Sequence, residues 1–228
     1  MIIKPTYQKL VIGVLFLSLL GCDAFKAQRE LVSFIPDDYK IFEKVVGDLN
    51  ADGINDSIYI VKKIGKDGMF TREDGEVLDR NRRGIMVFLS NGEKWKLAVK
   101  NLDCFSSENE YGGVYMPPEL YVHVKEGLLN VHFGHGRYGY WMYSFKLDES
   151  NLNLIKYVLS NNYGPIVDKI ESLDFLTKRK LIKTNINDQI KEGEDEVFEE
   201  KWSDFHQDEM ITLSSIVDFE KLALTDIY

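Results

Sequence analysis

Residues 47–56 read Gly-Asp-Leu-Asn-Ala-Asp-Gly-Ile-Asn-Asp. Counted from Asp48, oxygen-bearing side chains stand at positions 1, 3, 5 and 9 (Asp48, Asn50, Asp52 and Asp56), with a glycine at position 6. A tight loop that turns alternate residues inward gathers these four around one point, and the Ile54 carbonyl at position 7 joins them. Gly53 permits the sharp turn of backbone. Three carboxylates held this close repel one another unless a cation lies between them. Calcium takes roughly six to eight oxygen ligands and tolerates irregular geometry, whereas magnesium demands a strict octahedron, so calcium in a structural role is the expected cofactor. The alternative is a polar Asx-type turn that binds nothing. No open coordination position and no general base stands beside the loop, which argues for bracing rather than catalysis.

The elements around this loop set its type. Position 12 is Tyr59 where an EF-hand carries a bidentate glutamate, and the flanking segments alternate like strands where an EF-hand has helices. With the strand-like run Ser57-Ile58-Tyr59-Ile60-Val61 behind it, the loop resembles the calcium loop of FG-GAP and VCBS repeats. That resemblance implies that Asp48, Asn50, Asp52 and Asp56 are ligands and that the loop joins two neighbouring strands. It covers residues 39–63 and occurs once, while a propeller needs several copies, so a complete propeller is not expected.

A second constellation is the run Val-His-Phe-Gly-His-Gly-Arg-Tyr-Gly-Tyr-Trp-Met-Tyr at 131–143. Tyr, Trp and Arg dominate recognition hot spots, and aromatic faces suit sugars and peptides, which makes His135, Arg137, Tyr138, Tyr140 and Trp141 candidate binding residues. The plainer reading, which is preferred, is a tightly turned hairpin whose aromatics alternate between the core and the opposite face. A hydrolytic reading takes His135 as general base beside Glu108, Glu110 or Glu119, a carboxylate arrangement that would suit a glycoside hydrolase. No Gly-x-Ser-x-Gly nucleophile elbow, His-Glu-x-x-His helix or glycine-rich phosphate loop supports catalysis, and no catalytic residue is assigned. His123 and His132 fall on neighbouring strand-like segments and could face each other across the turn at Gly127. Cys104, flanked by apolar residues and with no histidine near it in sequence, reads as a buried, inert thiol.

At the N-terminus, Lys4 and Lys9 precede an apolar run from 10 to 20 that closes on Leu19-Leu20-Gly21-Cys22. Basic head, apolar middle and small residue at the cut are the order of a bacterial signal peptide, and the run is about half the roughly 20 residues that span a bilayer. The ending resembles the lipobox of bacterial lipoproteins. That implies cleavage before Cys22, acylation of its thiol, and a chain held at the bacterial cell membrane, facing the periplasm or the exterior; an aspartate at position 23 would favour the inner membrane. Residues 1–21 are then the leader, 22–34 a polar tether and 35–228 the folded part. With Cys22 lipidated, Cys104 has no partner for a disulfide. Loss of Lys4 and Lys9 moves the formal charge from −9 to −11, and so acidic a chain repels phosphate backbones. Nucleic acid is therefore not an expected partner.

Beyond the leader, apolar residues alternate with period two in short runs bounded by turn residues. Strands are expected at 39–46, 57–63, 84–90, 94–99, 120–124, 128–134, 138–147, 152–159, 172–177 and 180–184. Asn91-Gly92, the segment 125–127 and the segment 148–151 read as hairpin turns. The stretches 65–83 and 105–118 read as long loops, 187–200 as an acidic solvated loop, and 211–222 as short closing pieces. The expected fold is all-β: a single antiparallel meander domain, sandwich-like or propeller-blade-like. The expected function is a lipid-anchored, non-catalytic envelope protein that binds a protein, peptide or glycan, with a periplasmic glycan hydrolase as the alternative.

Overall fold

The computed structural model describes residues 30–110, 117–149, 151–187, 195–222 and 224. The lipobox and Cys22 lie outside these residues, as does most of the expected tether.

The chain is all-β, with antiparallel pairing throughout. A four-stranded sheet has the order β1 (Tyr39–Gly47), β2 (Asp56–Lys63), β5 (Arg83–Ser90), β6 (Trp95–Phe105). A seven-stranded sheet runs without a crossover through β7 (Glu119–Lys125), β8 (Leu128–Gly134), β9 (Gly139–Asp148), β10 (Asn151–Tyr163), β11 (Ile166–Asp174), β12 (Arg179–Asn185) and β13 (Phe198–Asp204). A small hairpin, β3 (Met69–Thr71) and β4 (Val77–Asp79), interrupts the path from β2 to β5. The meander is thus split between two sheets that share one apolar core, the sandwich form of the expected fold.

Period-two alternation builds that core. Ile58 and Ile60 of β2, with Ile85 and Val87 of β5, face Val122, Leu129, Val131, Tyr143 and Phe145 of the larger sheet. Residues between them in sequence face the other way: Tyr59, Val61, Met86 and Phe88 form a second cluster on the outer face of the small sheet. Strands apolar on both faces read as continuous hydrophobic runs, and Ile58 to Val61 and Ile85 to Phe88 do so because both faces are covered. The cover on the outside is Leu31, 2 % exposed, with Ile35 beside it and the Phe34 ring 5.4 Å from that of Phe88. The end of the expected tether therefore belongs to the folded body.

All ten expected strands are present, though one is displaced: the segment placed at 172–177 is β11, which begins at Ile166 and ends at Asp174. Asp174 then accepts the backbone N–H groups of Leu176 and Thr177 at 2.9 Å, which turns the chain out of the strand. The stretch 65–83 holds the β3–β4 hairpin rather than a plain loop. The acidic stretch 187–200 ends in β13, whose Glu199 and Glu200 stand on an exposed edge strand and so carry no apolar alternation. Charge on an edge strand discourages pairing with other chains. Residues 211–222 form two short 3-10 turns, as Leu213–Ser215 and Phe219–Lys221, that seat Leu213 and Phe219 in the core.

Candidate functional site

The two sequence constellations lie at opposite ends of the sandwich. The polar loop joins the end of β1 to the start of β2, with Gly47 paired to Asp56 and packed on Val124 at the end of β7. The other end of β2 places Lys62 opposite Arg83, which itself pairs with Phe105. β2 is 8 residues long, so its ends are separated by roughly 23 Å at about 3.3 Å per residue. Whatever binds at one end is not touched by the other.

At the loop end, Asp56 is fully buried, and its carboxylate accepts the backbone N–H of Leu49 and that of Ser90, each at 2.9 Å. Burial pushes its pKa up, the two N–H groups pull it down, and the nearby charges of Asp52 and Asp48 add to the rise, leaving it above the usual aspartate value. The remaining loop is held by Asx-type bonds: Gly53 N–H to Asp48 Oδ2 at 2.8 Å, Ile54 N–H to Asp52 Oδ1 at 2.7 Å, and the Asn50 amide to Asp52 Oδ2 at 2.8 Å. Ala51, with φ 59°, and Gly53, with φ 83°, make the left-handed bends this path needs. Asp48 Oδ1 is shielded from solvent and has no hydrogen-bond partner among the described residues. Among those residues no three acidic, histidine or cysteine side chains converge as a metal-ligating group. The loop brings Asp48, Asp52 and Asp56 within electrostatic reach of one another, but both Asp56 oxygens already serve backbone donors.

At the far end lie two cavities that share one wall residue. One cavity, about 660 Å³, is bounded by Phe70, Arg72 and Leu78 of the β3–β4 hairpin region and by Arg80, Asn109 and Glu110. A second, about 400 Å³, is bounded by Ser106, Ser107, Glu110, Phe133, Trp141 and Glu220, with Pro117 and Pro118 on its rim. Glu110 borders both. The Phe133 and Trp141 rings lie nearly parallel in the second cavity, centroids 5.3 Å apart and planes at 14°. Glu110 accepts from the Ser107 hydroxyl at 3.1 Å, and the Ser106 hydroxyl donates to Glu220.

Two buried cations fix this end to the small sheet. Lys62, 1 % exposed, bonds Glu108 at 2.6 Å and the Asp79 carbonyl at 2.9 Å, tying the β3–β4 hairpin to the 105–110 segment. Arg83 donates to the Ser106 carbonyl at 2.8 Å. Burial pushes its guanidinium pKa down, against Glu108, Glu43, Glu110 and Glu220, which favour the charged form. A bulge between Ile41 and Glu43 frees Phe42 to lie over both cations, 5.9 Å from Lys62 Nζ and 5.2 Å from the Arg83 guanidinium.

The aromatic hairpin is split by its own alternation. Phe133, Trp141 and Tyr143 point to the core and groove side; His132, Tyr140 and Met142 pair across the opposite face. His135, Arg137 and Tyr138 sit at the turn, where the His135 ring lies 5.2 Å from that of Tyr138. The five candidate binding residues therefore do not form one surface, and only Trp141 lines the groove. The hydrolytic set is not assembled either. Glu108 is engaged by Lys62 and Glu110 by Ser107, while Glu119 is exposed at the start of β7 opposite Gly134. Among the described residues, His135 makes no hydrogen bond to any of them. Cys104 is buried, and burial pushes its thiol pKa far up, which keeps it protonated and unreactive.

Sequence reasoning missed Phe70, Arg80, Ser106, Ser107, Phe133 as a groove wall, and Glu220. Their approach depends on a hairpin folded back from between β2 and β5 and on a C-terminal 3-10 turn, neither of which has a local signature. The chain matches no protein-family model, no curated protein and no solved structure. No helix among the described residues is long and apolar enough to cross a membrane.

Proposed function

We propose that the chain is a lipid-anchored, non-catalytic cell-envelope protein that binds an extended glycan in the groove across Glu110, with a calcium-binding loop bracing the far end of the fold. The observation that carries the binding role is that Glu110 borders two adjoining cavities, which together offer an elongated path rather than a single closed pocket. Trp141, backed by Phe133, offers an aromatic platform for the C–H face of a sugar ring. Ser106, Ser107, Glu110 and Glu220 offer acceptors for hydroxyl protons. The calcium proposal has two supports: the unpartnered Asp48 Oδ1, and the charges of Asp52 and Asp48, which both act on Asp56. The anchor rests on the order of residues 4–22 alone. Glycan hydrolysis through His135 and a loop carboxylate is not favoured, because Glu108 is engaged by Lys62 and Glu110 by Ser107, and no hydrogen bond joins His135 to the exposed Glu119.

The test is calorimetric titration of the chain with soluble envelope polysaccharide fragments of graded length. Affinity should rise with length until the groove is filled, and Trp141→Ala should abolish it, while Tyr140→Ala, on the other face of the same strand, should leave it unchanged. Binding of peptides but not glycans would overturn the ligand class, and equal loss in both variants would overturn the groove. Metabolic labelling with palmitate tests the anchor separately: Cys22→Ser should lose both label and membrane association.

A further inference from the structure

A third cavity, about 490 Å³, adjoins the first, and Arg80 lines both. Arg80 follows β4, and its backbone N–H donates to the Gly68 carbonyl at 2.7 Å across the open end of the β3–β4 hairpin. Its side chain is fixed twice more. Nε donates to the Asn109 carbonyl at 2.9 Å, and the guanidinium lies over the Phe70 ring, 4.1 Å from the centroid. Asn109 is itself tied back, its amide donating to the Asp79 carbonyl at 3.0 Å and its backbone N–H to the Ser107 hydroxyl at 3.1 Å. These bonds hold Arg80 half-buried, yet leave its remaining N–H donors without a hydrogen bond and its charge without an ion pair among the described residues. The other arginines of this end each have a carboxylate: Arg72 has Asp74 and Glu76, Arg82 has Asp218, and Arg83 has Glu108.

We infer that Arg80 is the docking point for an oxyanion on the bound ligand, so that the glycan is an acidic one bearing a carboxylate or a phosphate ester; the inference rests on the glycan-binding reading above. A planar guanidinium takes either group by paired, charge-assisted hydrogen bonds. A cation already fixed in place loses little side-chain freedom when the anion arrives, and the Phe70 ring covers one of its faces.

The third cavity supplies the surrounding charge. Lys63, Arg82 and Lys221 line it with Arg80. Of its carboxylates, Asp218 is 7 % exposed and is spent on Arg82 at 3.2 Å, on Lys221 at 3.5 Å and on the Glu220 backbone N–H at 3.0 Å. Asp67 and Asp103 are exposed to solvent. Lys63, like Arg80, has no ion pair among the described residues, so two unpaired cations border one cavity. In the first cavity Asp74 is paired with Arg72 and Glu110 accepts from Ser107, while Glu73 is unengaged; the anion is therefore met from the third. The cavity of Trp141 carries Glu110 and Glu220 and no cationic side chain. Charge thus orients the ligand, with hydroxyl groups toward Trp141 and the acid toward Arg80 and Lys63. The formal charge of −9 on the whole chain disfavours a polyanion, so isolated acid groups fit better than a densely charged polymer.

The test is calorimetric titration of the full-length chain in detergent with two matched pairs of trisaccharides: sialyllactose, which carries one carboxylate, against its methyl ester, and maltotriose with against without a terminal phosphate ester. In at least one pair the acid should bind roughly tenfold more tightly or better than its neutral partner, as expected of a charged hydrogen bond, and the pair that does so names the anion. Arg80→Gln should erase that preference, and Arg80→Lys should recover only part of it, because a point charge replaces the fork. Lys63→Gln should weaken the acid a few-fold. Arg179→Gln, whose guanidinium also lies over an aromatic ring but on β12, should keep the full preference. Equal binding within both pairs, or a preference that survives Arg80→Gln, overturns the docking point and leaves the glycan reading standing. Binding by none of the sugars overturns the glycan reading instead. Inorganic phosphate alone then decides the docking point, which stands if phosphate shifts the Arg80 side-chain N–H resonances and not those of Arg179, and falls if it does not. Should Arg80→Gln not fold, the same resonances in the wild type take its place: a shift by the acid and not by its neutral partner is expected, and its absence overturns the docking point.

Discussion

The wholly buried Asp56 carboxylate accepts the backbone N–H of Ser90 at 2.9 Å across 34 residues of chain, while its other oxygen accepts Leu49 N–H. One side chain thereby ties the polar loop to the end of β5. Asp56→Ala strands two buried N–H groups and should cost roughly 2–4 kcal/mol in urea unfolding, with or without calcium, because an unmet buried donor costs about 1–3 kcal/mol. Asp56→Asn keeps one acceptor oxygen and should lose less. A near-neutral Asp56→Ala would mean that the Ser90 bond is not formed in solution.

Calcium in excess over chelator should raise the melting temperature, and magnesium should not. Extracellular sites bind with dissociation constants of about 10⁻⁴ to 10⁻³ M, and ligand at about 100 times that value stabilises by roughly 2.7 kcal/mol. Asp52→Ala should abolish the rise while changing stability in chelator only slightly, since its partners lie within an exposed loop. That contrast with Asp56 separates a ligand from a structural acceptor. An Asp52→Ala chain that gains as much from calcium as the wild type would remove the loop as the site.

Glu171 sits between Lys169 at 2.7 Å and Lys180 at 3.2 Å on the inner face of the large sheet. Burial raises its pKa, but the bonds and charges of the two lysines outweigh that and hold it below the usual glutamate value. A depressed carboxylate stabilises the fold above its unfolded pKa of about 4.3 and loses that contribution as pH falls through the lower folded value. Glu171→Gln should therefore reduce stability at pH 7 by about 1 kcal/mol or less, Lys169 being partly solvated, and should flatten the loss below pH ~4.3. Melts across that range check the sign.

Cys104 should resist alkylation in the folded chain and react at once in denaturant. Its labelling rate under native conditions then reports opening of the core rather than a reactive thiol. Fast native labelling would contradict its burial.

Most strands were legible because a half-buried strand writes its environment into the sequence. Ile58 and Ile60 alternate with Tyr59 and Val61, and Asn91-Gly92 marks the turn between β5 and β6. β13 was not legible, since Glu199, Glu200 and Lys201 stand on an exposed edge where no core selects for alternation. β3 and β4 are three residues each, shorter than any period can reveal. The tether ran too far for the same kind of reason: Leu31 is one apolar residue among polar ones, and only the face it covers shows that it belongs to the fold.

By itself the sequence determined the all-β class, the hairpins at 91–92, 125–127 and 148–151 and the bend at Gly53, because these depend on neighbours a few residues apart. It also supplied the two-faced alternation of the 131–143 hairpin. Only the tertiary structure decided that the meander divides into two sheets, that Trp141 and Tyr140 look out on different sides, and that Glu110 borders both the cavity lined by Phe70 and the cavity lined by Trp141. It alone placed Lys62 against Glu108, 46 residues away. Such contacts are made by whole elements packing on a shared core, and the free energy that selects them is spread over the core rather than encoded at the residues that meet.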